Sequence, residues 1–195
     1  MNVDDAESIL DAANVRAGRT EDGVSLLPFW RDRGREIGRD VLLDNSPGAG
    51  HFDGIRTQHY KYAEYANGDR ELYDLRKDPD ELQSQHANPA YDALKASLAA
   101  RLHNLVACSG ASCRARPAVR FTAARQGRCG VVTATASGPG VQSATFLVNG
   151  RQVLTDSRSP FRARLVVKRR STIRVRVSVA FDRFVTLDRT VRACS

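Results

Sequence analysis

The sequence lacks the long hydrophobic run that a membrane-spanning helix needs. No stretch of it reaches roughly eighteen consecutive apolar residues, so we expect no transmembrane span. The first 20 residues, MNVDDAESILDAANVRAGRT, are acidic. They also lack the basic start and apolar core of a secretory signal peptide. We therefore expect no signal peptide within this chain.

Acidic residues are scarce in the second half of the sequence. Up to Cys113 there are 13 Lys and Arg against 19 Asp and Glu, whereas from Arg114 onward there are 17 against 3. This asymmetry indicates two modules with different surfaces, and 195 residues can form two small domains. We place a first domain at residues 1–113, a linker at 114–117 and a second domain at 118–195.

Cysteine is also scarce, but its even number, 4, favours disulfides and an oxidising compartment. Cys108 and Cys113 form a close pair, and Cys129 and Cys194 form a distant one. Three pairings are possible, and we predict the one that joins these two pairs. A zinc site is the alternative for the first pair, but no histidine or second cysteine pair stands nearby at zinc spacing. We predict no metal ligands.

The first domain has the pattern of an α+β fold. Residues 4–14 predict an amphipathic helix, residues 36–45 a short buried strand, and the Gly- and Pro-rich residues 46–54 a loop. Residues 56–82 predict a β-hairpin with a tight Asn67-Gly68 turn, because aromatic residues at period two fit paired strands. The hairpin and the strands before it would form a small antiparallel sheet.

A helix is predicted to follow this sheet and end at Val106. Asn88 suits its N-cap and Pro89 its first position. One face is apolar and should pack on the sheet. The residues of this face are Tyr91, Leu94, Leu98, Leu102 and Leu105.

The second domain alternates apolar and polar residues, which predicts half-buried strands separated by turns. Seven short strands at this spacing are typical of an antiparallel β-sandwich. The predicted strands are residues 119–123, 129–136, 144–148, 152–155, 161–167, 173–179 and 184–191.

Several motifs resemble, in order and spacing, the C-terminal part of the sulfatase family. They are GVSLLP at 23–28, RT at 56–57, YKY at 60–62, Gly68, ELYDL at 71–75 and DPxEL at 78–82. VLLDN at 41–45 and CSGASC at 108–113 are most similar to the N-acetylglucosamine-6-sulfatase-like branch. The family's proline-threonine before the first helix is replaced here by Glu7-Ser8.

The resemblance implies the fold of each domain. The first would be the C-terminal subdomain of an alkaline-phosphatase-like sulfatase, a small antiparallel sheet with a packed C-terminal helix. Residues 144–161, ATFLVNGRQVLTDSRSPF, resemble bacterial Ig-like domains. An all-β Ig-like sandwich is therefore expected to follow.

The resemblance also implies where the chemistry lies. Sulfatases use a formylglycine made from the cysteine of C-x-P-S-R, a calcium ion held by acidic residues, and lysine and histidine residues that grip the sulfate. No cysteine of this sequence begins that motif, and the family places these residues before the first helix. We therefore assign no catalytic residue and no cofactor, and we expect a C-terminal fragment, inactive alone. Its partner would be the missing sulfatase core, and its export signal would belong to a longer secreted or cell-surface parent.

The histidines and the acidic cluster of the first domain lack catalytic or metal-binding motifs. We expect His59, His86 and His103 to be surface or packing histidines. His51 lies in the predicted 46–54 loop, which in a complete sulfatase would approach the substrate cleft; a solvated loop histidine is the alternative. The acidic residues are expected to serve turns and caps rather than calcium, because they lack the EF-hand pattern. They are Asp74, Asp78, Asp80 and Glu81.

An arginine-rich face of the second domain supplies the alternative function, a secreted non-enzymatic module that binds anionic polysaccharide. Such a face can engage sulfated or phosphorylated polymers. Sparse aromatics and the lack of a nucleic-acid-binding signature argue against nucleic acid, and an edge-protecting charged surface is the simpler explanation. The candidate residues are Arg162, Arg164, Lys168, Arg169, Arg170, Arg174 and Arg176.

Overall fold

The computed structural model describes residues 2–32, 38–44, 50–114, 116–125, 130–167 and 170–192. The chain divides into two compact units. The first comprises Met1–Trp30 and Arg39–Ala115, and the second comprises Arg31–Gly38 and Arg116–Ser195. Within the described ranges, no helix is long and apolar enough to cross a membrane.

The first unit begins with the predicted helix, α1 (Asp5–Ala12), and a short helix, α2 (Leu27–Arg31), follows. Buried Asp4 ties the start of α1 to the next loop, because its carboxylate accepts a hydrogen bond from the backbone amide of Val24 at 2.9 Å. Arg39 donates to the same carboxylate. A Cβ atom on Gly23 would lie 2.0 Å from the carbonyl oxygen of Val3. Glycine is therefore required at this position of the GVSLLP motif.

An antiparallel sheet of four strands follows, in the order β1 (Val41–Asp44), β2 (Phe52–Arg56), β3 (Tyr60–Tyr65) and β4 (Arg70–Asp74). The predicted loop over residues 46–54 is wrong at its end, because β2 begins at Phe52. Gly54 lies inside this strand, where a Cβ would be 3.2 Å from the carbonyl oxygen of Tyr62. Here glycine permits close approach of neighbouring strands and does not mark a loop.

The hairpin turn between β3 and β4 differs from the predicted two-residue type. Gly68 has a positive φ of 92° but Asn67 does not, and the amide of Tyr65 donates to the carbonyl oxygen of Asp69 at 2.9 Å. The loop therefore spans three residues with glycine in the left-handed position, the next most common hairpin connection. Asn67 stabilises it by accepting a hydrogen bond from the amide of Asp69 at 3.0 Å.

The predicted C-terminal helix packs against the sheet. A 3₁₀ turn (Pro89–Tyr91) leads into α3 (Asp92–Val106), and Asn88 caps the turn by accepting from the amide of Ala90 at 3.0 Å. A disulfide between Cys108 and Cys113 follows the helix, as predicted. The core between helix and sheet consists of Ile55, Tyr62, Leu72, Leu98 and Leu102.

The described residues of the second unit form seven strands where the alternating pattern predicts them. They are β5 (Arg120–Arg125), β6 (Val131–Ser137), β7 (Val141–Val148), β8 (Arg151–Asp156), β9 (Phe161–Val166), β10 (Arg170–Val179) and β11 (Arg183–Arg192). One antiparallel sheet has the order β11-β10-β7-β8 and the other β5-β6-β9. Inward-facing residues of both sheets, including Phe146, Phe161 and Val175, form one core. Cys129, Cys194, Lys168 and Arg169 lie outside the described residues.

Candidate functional site

Asp74 is the centre of a polar network that joins the hairpin to α3. Its carboxylate, only 3% exposed, accepts hydrogen bonds from Arg76 Nε at 3.2 Å and Tyr91 Oη at 3.1 Å. Lys77 Nζ lies 3.7 Å away. Burial raises the pKa of Asp74, but the bonds from Arg76 and Tyr91 outweigh it and hold the pKa below its ordinary value. Asp74 is therefore an ionised structural anchor.

Two of the other acids of this turn, Asp78 and Glu81, are also engaged, whereas Asp80 is exposed. The Asp78 carboxylate accepts from the amides of Leu82 at 3.0 Å and Gln83 at 2.8 Å, as expected of a capping residue. Glu81 binds Lys61, and its other oxygen accepts from Arg56 Nη1 at 3.0 Å. The carboxylate oxygens of Asp78 and Glu81 already have protein partners, so these two residues do not fit a calcium site.

A second network lies at the contact between β3 and α3. Buried Tyr62 donates to Glu64 Oε1 at 2.7 Å, and His103 Nε2 lies 2.9 Å from Glu64 Oε2. Burial and the bond to Glu64 raise the pKa of Tyr62 well above its ordinary value. Burial raises the pKa of Glu64, but the bonds from His103 and Tyr62 outweigh it and lower that pKa. His103 thus helps to hold the helix on the sheet.

His51 lies beside two carboxylates, those of Asp44 and Asp53. Asp53 falls in the segment that was predicted to be a loop. Asp44 in β1 pairs directly with Asp53 in β2, so both side chains lie on one face. His51 Nδ1 is 3.9 Å from Asp44 Oδ1, and one donor atom from each residue lies within 4.8 Å of the others. A set of one nitrogen and two carboxylate ligands can hold Zn²⁺. It suits Ca²⁺ less well, because Ca²⁺ is bound by oxygen ligands. The sequence carried no signal for this group, because it depends on strand register.

The candidate arginines of the second unit do not share one face. Arg162 and Arg164 are exposed on β9, in the three-stranded sheet, whereas Arg170, Arg174 and Arg176 lie on β10, in the other sheet. The predicted single face of seven basic residues is therefore split between two sheets among the residues described.

Two of the three arginines of β10, Arg174 and Arg176, have partners within the second unit. Arg174 Nε donates to Asp188 at 2.8 Å, and its Nη2 donates to Asp32. These bonds raise the pKa of Arg174. Arg176 stacks 4.6 Å above the ring centroid of Phe184. Both side chains therefore already interact with groups of the protein itself.

The hairpin motifs, the sheet of four strands and the packed helix define the class, the C-terminal part of a sulfatase. Residues 1–107 match the family "N-sulphoglucosamine sulphohydrolase, C-terminal". Since this match covers more than half of the 195 residues, the chain belongs to that family.

Solved structures give further similarities. BT4656 in complex with its substrate D-glucosamine-2-N,6-O-disulfate is 27% identical, with a TM-score of 0.48, over 53% of this chain and 23% of that chain. The phosphonate monoester hydrolase of Agrobacterium radiobacter is 26% identical, with a TM-score of 0.44, over 53% and 24%. The fibronectin(III)-like modules of Clostridium thermocellum CbhA are 20% identical, with a TM-score of 0.33, over 38% and 94%.

The match spans about a quarter of the length of the first two of these proteins. No curated protein matches the chain.

Proposed function

We propose that this chain acts as the C-terminal part of a secreted sulfatase and completes a sulfuric ester hydrolase. Its family membership and its span of about a quarter of BT4656 support this role. The sequence has no C-x-P-S-R motif, so residues outside this chain would supply the formylglycine and the calcium site. The chain by itself is expected to be inactive.

The apolar surface of α1 and α2 is the main observation behind this proposal. Ile9 in α1 is 68% exposed and Trp30 in α2 is 82% exposed, and neither helix contains a buried residue. By contrast, α3 fully buries Leu98 and Leu102. An amphipathic helix that has no fully buried residue and leaves a large apolar side chain exposed marks an interaction surface. We assign the sulfatase core as the partner of this surface.

The disulfide Cys108–Cys113 supports secretion, because such bonds persist in oxidising compartments. The loop containing His51 would then approach the substrate cleft of the assembled enzyme. The group of Asp44, His51 and Asp53 lies on the β1–β2 face and would approach the cleft together with that loop. The predicted Cys129–Cys194 bond belongs to the same proposal.

The second unit is proposed to be Ig-like. β5 and β6 lie in the three-stranded sheet, and β7 and β8 lie in the four-stranded sheet. β9 then lies in the three-stranded sheet again, and β10 and β11 lie in the four-stranded sheet. Repeated crossing between two antiparallel sheets around one core is characteristic of immunoglobulin-type sandwiches. The resemblance of residues 144–161 to bacterial Ig-like domains supports the same assignment.

The dye 1-anilinonaphthalene-8-sulfonate, whose fluorescence rises on exposed apolar surface, tests the proposed docking surface. The isolated chain should bind the dye, and acrylamide should quench Trp30, the single tryptophan, efficiently. The double variant I9S/W30S should lose most dye binding. The control V153S/V166S changes two apolar residues of the second unit that are 54% and 72% exposed and should lose little.

Two results would overturn the proposal. One is equal loss of dye binding in both double variants. The other is a monomeric wild-type chain that binds no dye and shields Trp30 from acrylamide. The second result would favour the alternative function, a self-sufficient secreted module that binds anionic polysaccharide. The excess of 17 basic over 3 acidic residues from Arg114 onward favours that alternative.

A further inference from the structure

The outer face of the three-stranded sheet of the second unit combines arginine with hydroxyl groups. Its edge strands carry exposed Arg120, Arg162 and Arg164. The central strand β6 presents Thr133 and Thr135 between them. No acidic residue lies within β5, β6 or β9. We call this surface, Arg120, Thr122, Thr133, Thr135, Arg162 and Arg164, the arginine–threonine face.

The strand register places a hydroxyl beside each arginine of β9. Arg162 is paired with Thr135, which is paired on its other side with Thr122. Arg164 is paired with Thr133. Neighbouring strands are about 4.8 Å apart, and residues two apart on a strand are about 6.6 Å apart. The face therefore offers two closely spaced clusters of hydrogen-bond donors.

The guanidinium groups of this face differ from that of Arg174 in their ion pairing. Among the residues that the structure describes, Arg120, Arg162 and Arg164 form no salt bridge, in contrast to Arg174 on the other sheet. The acid nearest to Arg162 and Arg164 along the chain is Asp156. Its carboxylate accepts from the backbone amides of Arg158 at 3.0 Å and Arg162 at 2.9 Å. It thus orders the start of β9 and leaves the Arg162 guanidinium available.

We propose that the arginine–threonine face binds a sulfated polysaccharide. Arginine forks and hydroxyl donors match the oxygens of sulfate groups repeated along a polymer. Single-stranded nucleic acid is less suited, because the face has no aromatic side chain on which bases could stack. This inference rests on the proposed function and deepens it: the second unit holds the class of polymer from which a sulfatase removes sulfate.

Chromatography and titration calorimetry with heparin as the sulfated probe test this face. The variant R162Q/R164Q should bind heparin about tenfold more weakly and elute at lower salt, because two charge-assisted contacts are lost. The control R151Q/R189Q removes the same charge from exposed positions of the four-stranded sheet and should change affinity less than about twofold. Circular dichroism should show all three proteins folded.

Equal weakening in the two variants would overturn the proposal, because it would show attraction to net charge alone. Equal affinity for hyaluronan, which is unsulfated, or tighter binding of single-stranded DNA or anionic vesicles would overturn it as well. These outcomes are independent of the dye-binding test. A chain that binds heparin specifically but has no exposed apolar surface would support the arginine–threonine face. The same result would refute the sulfatase core as the partner of α1 and α2.

Discussion

Asp74→Asn removes one charge from the network between the hairpin and α3. The wild-type carboxylate is 3% exposed and accepts from Arg76 and Tyr91, with Lys77 close by. Asparagine keeps the size of the side chain but replaces charge-assisted hydrogen bonds with neutral ones. It also leaves the Arg76 guanidinium without its carboxylate.

The expected magnitude follows from these contacts. A hydrogen bond to a charged group stabilises by about 1.5–3 kcal/mol and a neutral one by about 0.5–1.5 kcal/mol. Two charge-assisted side-chain hydrogen bonds become neutral and one ion pair is weakened. We therefore expect the free energy of unfolding to fall by about 2–3 kcal/mol at neutral pH. Asp80→Asn, the same change at an exposed position, should cost less than about 0.5 kcal/mol.

The loss should depend on pH with a definite sign. The pKa of Asp74 is lowered in the folded chain, so its stabilising contribution is fully present above the ordinary aspartate pKa of about 3.9. It disappears as the pH falls through the lower, folded-state pKa. The stability difference between wild type and D74N should therefore be full at pH 7 and shrink in acid.

Urea unfolding followed by helical circular dichroism measures this difference. Among the described residues all α-helices lie at or before Val106, so the helical signal reports the first unit. Equal costs for D74N and D80N would refute the anchoring role of Asp74. A D74N cost that stays constant between neutral pH and pH 3 would also refute it.

Three further variants and one control substitution test the packing of the first unit. Gly23→Ala forces a Cβ to 2.0 Å from a backbone oxygen and should cost about 3 kcal/mol in urea unfolding. Leu98→Ala, at a fully buried site, should cost about 3–4 kcal/mol, whereas Leu82→Ala, 79% exposed, should cost little. Removing the disulfide with C108S/C113S should lower stability by about 2 kcal/mol, because the bond closes a loop with a separation of 5 residues. Costs below about 1 kcal/mol for all three would contradict the described packing.

Local patterns predicted the elements of both units well. The spacing of Leu98 and Leu102 indicates one buried face of α3, and the alternation from Ile173 to Val179 indicates β10. These periods arise from the geometry of a single element. The residues needed to recognise them are close together in the sequence.

Features that depend on strand pairing were missed. Asp44 and Asp53 meet because β1 and β2 pair in one register, and glycine-rich sequence between them suggested only a loop. Alternation shows that Arg162 and Arg174 point outward, but not that β9 and β10, neighbours in sequence, join different sheets. The basic residues therefore seemed to form one face when the chain distributes them over two.

Capturing the native chain from the cells that make it tests the proposed sulfatase role. Antibodies against the second unit would capture the native protein for mass spectrometry and for an assay of sulfate release from para-nitrophenyl sulfate and heparin oligosaccharides. If the chain completes a sulfatase, the captured material should contain a formylglycine peptide from C-x-P-S-R and should release sulfate. Captured protein that contains residues 1–107 but shows neither would refute this role.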